Sequence, residues 1–341
     1  MEENILQDRV GEYLIPHLKE FIFDELSESY LEKAGLKDVL LGVPVPVRKT
    51  DMVDLTTLKI AQNMAFVIGC DINFKYRDNY IEYITRMFTK EFVKPLVNEG
   101  IEGAAQNDFD YACICFRGAL LIDPESTDAL YCYGRACKDT YELGQDEEFI
   151  GRFKAESLDA FEKLSIKAPD FDMGFYFLGY GYLNLGLYIK AKLAWEKFLE
   201  LSENEDMKKE VMEWMAKLEE PVKIEEGYNF VLSARYQQGI DALAPYTKDN
   251  RFNNWWPLWY YLGIAYKEMG QIEEAEEHFL RVLKLSPSNT DTMAELVEIY
   301  KAVGNEEKLQ KYEEKIKIIK DNHLEDLALK KEMAGKNQPL S

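Results

Sequence analysis

Glu274 and His278 have the residue types and the spacing for metal chemistry, because they stand four residues apart in a stretch with helical periodicity. That spacing places both side chains on one face of a helix, where a carboxylate and an imidazole can share a divalent cation. A closed metal site needs more ligands than two, and the chain contains only 3 histidines. The sequence therefore predicts no metal site.

Thiol chemistry could come from the 5 cysteines, Cys70, Cys113, Cys115, Cys132 and Cys137. Their number is odd and none of them form a CxxC pair, so neither a disulfide framework nor a zinc site is indicated. Cys113 and Cys115 lie two apart on a predicted helix and point to different sides of it, which is typical of core residues. We expect all five to be reduced thiols.

Residues 178–186, LGYGYLNLG, superficially resemble a glycine-rich nucleotide loop. They do not follow a predicted strand, and helix packing explains Gly179 and Gly186. The sequence also contains neither the nucleophile-elbow motif of hydrolases nor a phosphate-binding loop. It therefore shows no recognisable combination of nucleophile, general base and orienting group. The sequence predicts no catalytic residues and no cofactor. An enzyme with an unfamiliar helical cap is kept as a third hypothesis.

The charge balance limits the partners, since 62 acidic residues against 41 basic ones give a formal charge of −21. Nucleic-acid binding depends on clustered Lys and Arg, so no nucleic acid is expected as a partner. The acidity fits solubility as well as it fits a basic partner. The first residues lack the basic and apolar regions of a signal peptide, and no apolar run approaches the ~18 residues of a membrane span. A cytoplasmic protein without a membrane partner is expected.

Any binding residues must be carried by helices, and residues 256–289 show this most clearly because they contain two predicted amphipathic helices. The first carries a stripe of Trp259, Leu262, Gly263 and Tyr266 and ends at Gly270, and the second carries Ala275, Phe279 and Val282 and ends before Pro287. Glycine inside a helix costs about 1 kcal/mol relative to alanine. We therefore expect that Gly263 lets the second helix approach at the point where Ala275 faces it.

This stretch resembles one complete repeat of the tetratricopeptide repeat (TPR) family, a helix–turn–helix unit of about 34 residues. The positions that match the family signature are Trp259, Leu262, Gly263, Tyr266, Ala275, Phe279 and Pro287. The resemblance implies an all-α fold, a right-handed α-α superhelical solenoid of helical hairpins with the first helices on its concave face. Proteins of this family usually hold another protein or a peptide.

Further repeats resembling this one predict the domain organisation. A TPR array is expected over 93–323, with repeats 93–126, 127–171, 172–205, 220–253, 256–289 and 290–323 and an extra helix over 206–219. The repeat 127–171 has about eleven extra residues near 141–153, which we expect to form a functional loop. Residues 1–92 are predicted to be a helical N-terminal cap, helical over 1–34 and extended over 42–48, and residues 324–341 a capping helix and tail.

The resemblance also implies which residues of the first helices line the groove. They are Tyr131, Arg135, Lys138, Tyr176, Tyr180, Leu183, Asn184, Ile224, Tyr228, Tyr260, Ile264 and Lys267. Tyrosine offers apolar area and a hydroxyl at a small entropy cost, which suits an extended peptide or an amphipathic helix. The alternative is that these tyrosines pack under the insertion or under the N-terminal cap.

Two function classes follow from this pattern. The first is a scaffold or adaptor that binds a protein or peptide in its groove. The alternative is a peptide-sensing regulator in which the cap of residues 1–92 closes on the array when the ligand binds. The carboxylate clamp of some TPR proteins is not expected, because the matching positions of the two best repeats carry Tyr176, Tyr180, Tyr260 and Ile264.

Overall fold

Helices joined by short turns make up most of the chain, as the alternation of apolar stripes with turn residues predicts. The computed structural model describes residues 6–49 and 55–336. The α-helices of these residues are α1 (Gly11–Leu14), α2 (Glu28–Ala34), α3 (Lys37–Leu40), α4 (Thr57–Cys70), α5 (Arg77–Phe88), α6 (Val93–Ala105), α7 (Phe109–Ile122), α8 (Thr127–Leu143), α9 (Glu147–Lys167), α10 (Asp172–Asn184), α11 (Tyr188–Leu201), α12 (Glu205–Leu232), α13 (Tyr236–Leu243), α14 (Trp256–Glu268), α15 (Ile272–Leu285), α16 (Thr290–Ala302) and α17 (Glu306–Lys336). Short 3₁₀ helices cover Ile15–Glu20, Lys90–Phe92 and Ala244–Lys248.

The chain divides into two compact units, residues 1–212 and 213–341. In the N-terminal unit, one continuous core of buried apolar side chains runs from Val10 to Ala160. The C-terminal unit has one cluster between Ile224 and Ala265 and a second between Ala275 and Tyr312. Within each unit, consecutive helices pack as hairpins, so the predicted all-α hairpin fold is confirmed.

A glycine in the first helix of a hairpin lies against a large side chain of the second helix, and this contact recurs. The pairs are Gly100 with Phe116, Gly134 with Phe161, Gly179 with Trp195, Gly227 with Leu243, and Gly263 with Phe279. Four of these pairs are sixteen residues apart in sequence, whereas Gly134 and Phe161 are twenty-seven apart. The repeat 127–171 therefore carries an insertion of eleven residues, as its length predicts.

The close approach of paired helices at Gly179 and Gly263 is confirmed. A Cβ on Gly263 would lie 2.6 Å from Cε1 of Phe279, so the ring occupies the space that a side chain would need. The three atoms nearest to this Cβ all belong to Phe279, and the expectation that Ala275 faces Gly263 stays a prediction. Ala275 is fully buried one turn before Phe279, and the larger residue makes the contact because its ring fills the gap between the helices.

The helical prediction for residues 1–34 is wrong over Phe21–Glu25, whereas Glu28–Ala34 is helical as predicted. Strand β1 (Phe21–Glu25) pairs antiparallel with β2 (Pro44–Arg48), with Phe21 opposite Arg48 and Phe23 opposite Pro46. The predicted extended segment 42–48 is β2 in the structure. Pairing between segments about twenty residues apart leaves no trace in local periodicity, so the apolar residues at 21–23 by themselves predict a helix.

Two predicted helix boundaries are absent from the structure. The segment 206–219 and the first helix of 220–253 form the single helix α12, which contains Pro221 in its interior. The last repeat and the predicted capping helix likewise share α17, which runs without a break from Glu306 to Lys336. Residues 337–341, predicted as part of the tail, lie outside the described residues.

Buried tyrosines should make the stability of the N-terminal unit depend on alkaline pH. Burial raises the pKa of Tyr83 and of Tyr111 from 10.0 to about 12. Because the folded state holds these protons more tightly, their contribution is complete below pH 10 and is lost as the pH rises through 12. We expect the urea midpoint to fall between pH 10 and 12, with a smaller fall for the double variant Tyr83→Phe/Tyr111→Phe. An equal fall in both proteins would contradict the assignment.

Candidate functional site

The eleven inserted residues lengthen two helices and do not form the predicted functional loop. α8 and α9 have 17 and 21 residues, whereas α10 and α11 of the next hairpin have 13 and 14. The side chain of Asp146 accepts hydrogen bonds from the backbone N–H groups of Glu148 and Phe149, each at 3.0 Å. This N-cap starts α9 soon after α8 ends. The inserted residues therefore form additional turns of these two helices.

A cavity of about 520 Å³ lies between α8, α9 and α10. Tyr141 and Glu142 line it from the end of α8, and Gly151 and Lys154 line it from the first turns of α9. The added turns of the insertion therefore build one wall of the cavity. Its volume falls within the range of about 300–1,000 Å³ that is usual for ligand pockets.

The floor of the cavity is apolar. Phe161 and Phe177 stack with ring centroids 5.1 Å apart and an angle of 13° between their planes, and Leu158 and Leu185 continue this surface. Gly181 keeps the space open, since a Cβ there would lie 3.0 Å from Cδ1 of Leu158. The cavity can therefore accept an apolar side chain.

Each carboxylate in the lining already has a donor within the chain. The contacts are Lys138 Nζ to Glu142 at 2.6 Å, Tyr182 hydroxyl to Glu162 at 2.7 Å, and Lys163 Nζ to Asp159 at 2.7 Å. Arg9, which also lines the cavity, pairs with Glu156 at 3.1 Å. Three of these four contacts are ion pairs, and Glu162 accepts from a neutral hydroxyl.

Two cations instead rest on aromatic rings, Lys154 in the cavity lining and Arg135 outside it. Lys154 Nζ lies 5.4 Å from the ring centroid of Tyr141. The Arg135 guanidinium carbon lies 5.8 Å from the ring centroids of both Tyr131 and Phe177. Among the described residues, no carboxylate lies within salt-bridge distance of either cation.

The predicted groove residues of the N-terminal unit divide between the cavity and the packing around it. Lys138, Tyr180 and Asn184 line the cavity, and Tyr131 and Arg135 contact Phe177 but do not line the cavity themselves. Leu183 is half-buried outside the lining.

The hydroxyl groups of Tyr176 and Tyr180 are bonded inside the chain. Both donate to the carboxylate of Glu210, Tyr180 at 2.5 Å and Tyr176 at 3.3 Å. Tyr180 packs edge-on against Trp195, and burial raises the pKa of both phenols. These two tyrosines therefore pack against α11 and α12, which is neither packing under the insertion nor packing under the N-terminal cap.

In the C-terminal unit the predicted residues make contacts of their own. Tyr228 stacks on Tyr261 at 4.4 Å between centroids, and Tyr260 lies 6.0 Å from Phe279. Ile264 packs against both apolar clusters of this unit. Ile224 is fully buried, so its prediction as a groove contact is wrong; it shares the buried face of α12 with Val231, seven residues later.

Lys267 is neutralised by two carboxylates. Its Nζ lies 2.5 Å from Glu295 and 2.7 Å from Glu298. Burial alone lowers the pKa of Lys267, but the two hydrogen bonds outweigh burial and raise it. Lys267 is thus charged and already paired, which leaves it a poor anchor for an acidic ligand.

The candidate metal pair Glu274 and His278 is not arranged as a metal site. Nδ1 of His278 lies 2.7 Å from the backbone carbonyl oxygen of Glu274, and its ring lies against Trp259 and Tyr266. Among the described residues, no three side chains of His, Cys, Asp or Glu converge to hold a metal ion.

Sequence reasoning missed five residues that shape the cavity, namely Tyr141, Lys154, Leu158, Phe177 and Gly181. The available signals were the insertion itself, which contains Tyr141, and Gly181, a glycine of α10 that takes no part in the Gly179–Trp195 contact. Gly179 meets the Trp195 ring, whereas Gly181 faces the cavity.

Comparison with known proteins identifies one repeat directly. The family model described as tetratricopeptide repeat matches residues 256–289. Protein bimA of Emericella nidulans is 35% identical over 65 residues, which are 19% of this chain and 8% of that protein. The matched segment thus spans less than a tenth of this relative.

Several solved structures are similar to the chain at low identity. The crystal structure of MamA protein is 15% identical, covers 73% of this chain and 96% of its own, and has a TM-score of 0.28. YrrB, titled a TPR protein with an unusual peptide-binding site, is 16% identical, with 63% of this chain and 96% of YrrB covered and a TM-score of 0.30. The P58(IPK) TPR domain is 12% identical, with 86% of each chain covered and a TM-score of 0.44. Values this low carry no information on the cavity.

None of the helices in residues 6–49 and 55–336 combines the length and the apolarity needed to cross a bilayer. The repeat at 256–289 has its glycine and ring in close contact between α14 and α15, as the family signature requires. Residues 256–289 therefore match the tetratricopeptide repeat family both in sequence and in the packing of their two helices.

Proposed function

We propose that this chain is a scaffold that acts by binding, and that the cavity between α8, α9 and α10 receives an apolar side chain from a segment of a partner protein. The observation that supports this most strongly is the insertion. Eleven residues added to one hairpin extend α8 and α9 and wall a cavity of about 520 Å³ with an apolar floor. Helical turns that only stabilised the hairpin would be expected to pack against its core and leave no such space.

The position of the cavity supports a protein segment as its occupant. Lys138, Tyr180 and Asn184 in its lining are among the residues that the resemblance to TPR proteins implies for the groove. Leu185 is half-exposed at 54% and continues the apolar floor toward solvent. An apolar anchor with adjoining chain would bury both surfaces together.

We also propose that the protein works in the cytoplasm. Its five cysteines are free thiols, four of them buried, which fits a reducing compartment.

Filling the cavity tests the proposed function. Gly181→Leu places a side chain in the space above Leu158, and it should abolish binding of peptides that the natural protein selects from a displayed random library. Lys190→Gln is the matched control, because Lys190 is an exposed cation over Tyr182 and does not line the cavity. Retention of the selected peptides by Gly181→Leu would refute the cavity as the binding site.

One contact favours the second candidate, a regulator that changes shape. Arg9 lines the cavity and belongs to the N-terminal segment, whose Asp8 pairs with buried Arg117 at 2.6 Å. Tyr13 of the same segment packs on Phe149 of α9. A ligand in the cavity would meet Arg9 and could displace this segment.

Hydrogen exchange with a selected peptide separates the two candidates. Faster exchange of the amides of residues 8–14 in the bound state would support the regulator, and unchanged exchange there would support the scaffold.

A further inference from the structure

We propose that the free edge of strand β1, the edge that faces away from β2, binds an extended segment of a partner protein as a third, antiparallel strand. The segment is basic at its N-terminal end and apolar after it. β1 and β2 form a two-stranded sheet, and no further strand extends it in the part of the chain that the structure describes. No residue of β1 lines the cavity between α8, α9 and α10, so this surface is separate from that site.

The register of the sheet determines which backbone groups of β1 face its free edge. Opposed residues of an antiparallel pair alternate between those that exchange two hydrogen bonds and those that exchange none. Phe23 lies opposite Pro46, which has no N–H, so this pair exchanges none. The N–H of Lys49 donates to the carbonyl oxygen of Glu20 at 3.2 Å, in phase with the same alternation. The N–H and C=O of Phe23 therefore point away from β2.

The outer edge of β2 is closed to a further strand. Pro44 and Pro46 stand at positions whose nitrogens face outward, and proline cannot donate to an added strand. The carbonyl oxygen of Pro44 accepts a hydrogen bond from the Tyr80 hydroxyl at 2.6 Å. That of Pro46 accepts one from Nδ2 of Asn63 at 3.3 Å. A partner strand can therefore join this sheet at β1.

The free edge of β1 is open at its centre. The N–H and C=O of Phe23 meet no partner within residues 6–49 and 55–336. The N–H of Phe21 donates to the carbonyl oxygen of Leu18, and that of Glu25 donates to the Asp24 side chain. An antiparallel segment centred on Phe23 would thus form two hydrogen bonds there and one at each flanking carbonyl oxygen.

The side chains of β1 determine the chemistry of the partner segment. Ile22 and Phe23 are 44% and 37% exposed, and the Phe23 ring stacks on Phe74 at 5.8 Å between centroids. Asp24 and Glu25 are exposed, and neither has a cation within salt-bridge distance among the described residues. A fitting strand is therefore apolar opposite Ile22 and Phe23 and basic opposite the two carboxylates.

A second copy of this chain is the less suitable occupant. Two chains that each carry a formal charge of −21 repel one another. The symmetric pairing of two β1 strands would also supply no cation to Asp24 and Glu25. The acidic end of β1 therefore disfavours self-association and favours a basic segment.

A labelled peptide with Lys-Lys-Val-Val-Thr in a Gly/Ser background tests the proposal by fluorescence anisotropy. In the antiparallel register its first valine lies opposite Phe23, and its lysines lie opposite Asp24 and Glu25. The peptide should bind, and its affinity should fall as salt is raised. Glu-Glu-Val-Val-Thr should bind about ten-fold more weakly or less. Equal binding of the two peptides, or no binding of the lysine peptide, would overturn the proposal.

Methylation of single peptide nitrogens separates strand addition from general attraction of a basic peptide to an acidic protein. A methyl group on the nitrogen of the first valine removes the donor to the Phe23 carbonyl oxygen, and it should weaken binding about ten-fold. The nitrogen of the second valine faces away from β1, so its methylation should leave the affinity within about two-fold. Equal affinities of the two methylated peptides would contradict strand addition.

Phe23→Pro and Phe23→Ala are the matched pair of protein variants. Both lose the ring that stacks on Phe74, but only proline removes the N–H at the free edge, and it breaks no hydrogen bond to β2. Phe23→Pro should therefore bind the lysine peptide about five-fold more weakly than Phe23→Ala. If Phe23→Pro does not fold, the methylated peptides on the natural protein decide the question.

Two further results would assign a different occupant or site and overturn the proposal. Loss of lysine-peptide binding in Gly181→Leu would place the peptide in the cavity. A dimer of the natural protein in analytical ultracentrifugation that is absent for Phe23→Pro and present for Phe23→Ala would make a second copy the occupant of β1.

Discussion

Gly179→Leu is expected to destabilise the N-terminal unit by about 3 kcal/mol or more. A Cβ at this position would lie 2.1 Å from Nε1 of Trp195, which is fully buried. The indole N–H also donates to the carbonyl oxygen of Tyr176 at 3.2 Å, so moving the ring breaks a hydrogen bond worth about 1 kcal/mol. Urea unfolding followed by circular dichroism measures the loss.

Gly181→Leu on the same helix is the control for this substitution. Its Cβ would meet only the end of the flexible Leu158 side chain at 3.0 Å, and replacement of a helical glycine contributes up to about 1 kcal/mol in its favour. We expect its free energy of unfolding to stay within about 1 kcal/mol of the natural value. Equal losses for the two variants would mean that the two glycines do not have separate roles in packing and in keeping the cavity open.

Asp8→Ala should cost about 3–5 kcal/mol of folding free energy, because it removes the counter-charge of a buried arginine. The side chain of Arg117 is only 5% exposed, and its Nη2 lies 2.6 Å from the Asp8 carboxylate. The other Asp8 oxygen accepts the N–H groups of Val10 and Gly11, so the start of α1 is lost as well. Thermal unfolding of the full chain gives the size of the effect.

The double variant Asp8→Ala/Arg117→Met separates charge burial from the loss of other contacts. An apolar side chain of similar length removes the buried charge, so the double variant should recover most of the stability lost in Asp8→Ala. If it is no more stable than Asp8→Ala, the caps at Val10 and Gly11 account for the loss and the ion pair does not.

The hairpins could be predicted from sequence because their determinants are local. The glycine in the first helix and the ring in the second recur at a fixed spacing, so Gly179 and Gly263 were placed correctly at tight helix contacts. β1 and β2 could not be predicted in this way, since Phe21 and Arg48 meet only through long-range pairing.

The candidate site was predicted only in outline. The length of the repeat 127–171 revealed the insertion, but not whether its residues form a loop or added helical turns. The TPR register selected Tyr176 and Tyr180 as surface residues, yet Glu210 on a later helix takes up both hydroxyls. It also missed Lys154, because this residue lies on the second helix of its hairpin and reaches the cavity only through the lengthened α9.

Methyl NMR with a peptide that the natural protein selects from the displayed library is the most direct test of the proposed site. Upon titration with this peptide, the methyl signals of Leu158 and Leu185 in the cavity should shift, and those of Ile264 and Leu258 in the C-terminal unit should stay in place. Shifts concentrated at Ile264, with Leu158 and Leu185 unchanged, would place binding on the C-terminal unit and contradict the cavity between α8, α9 and α10.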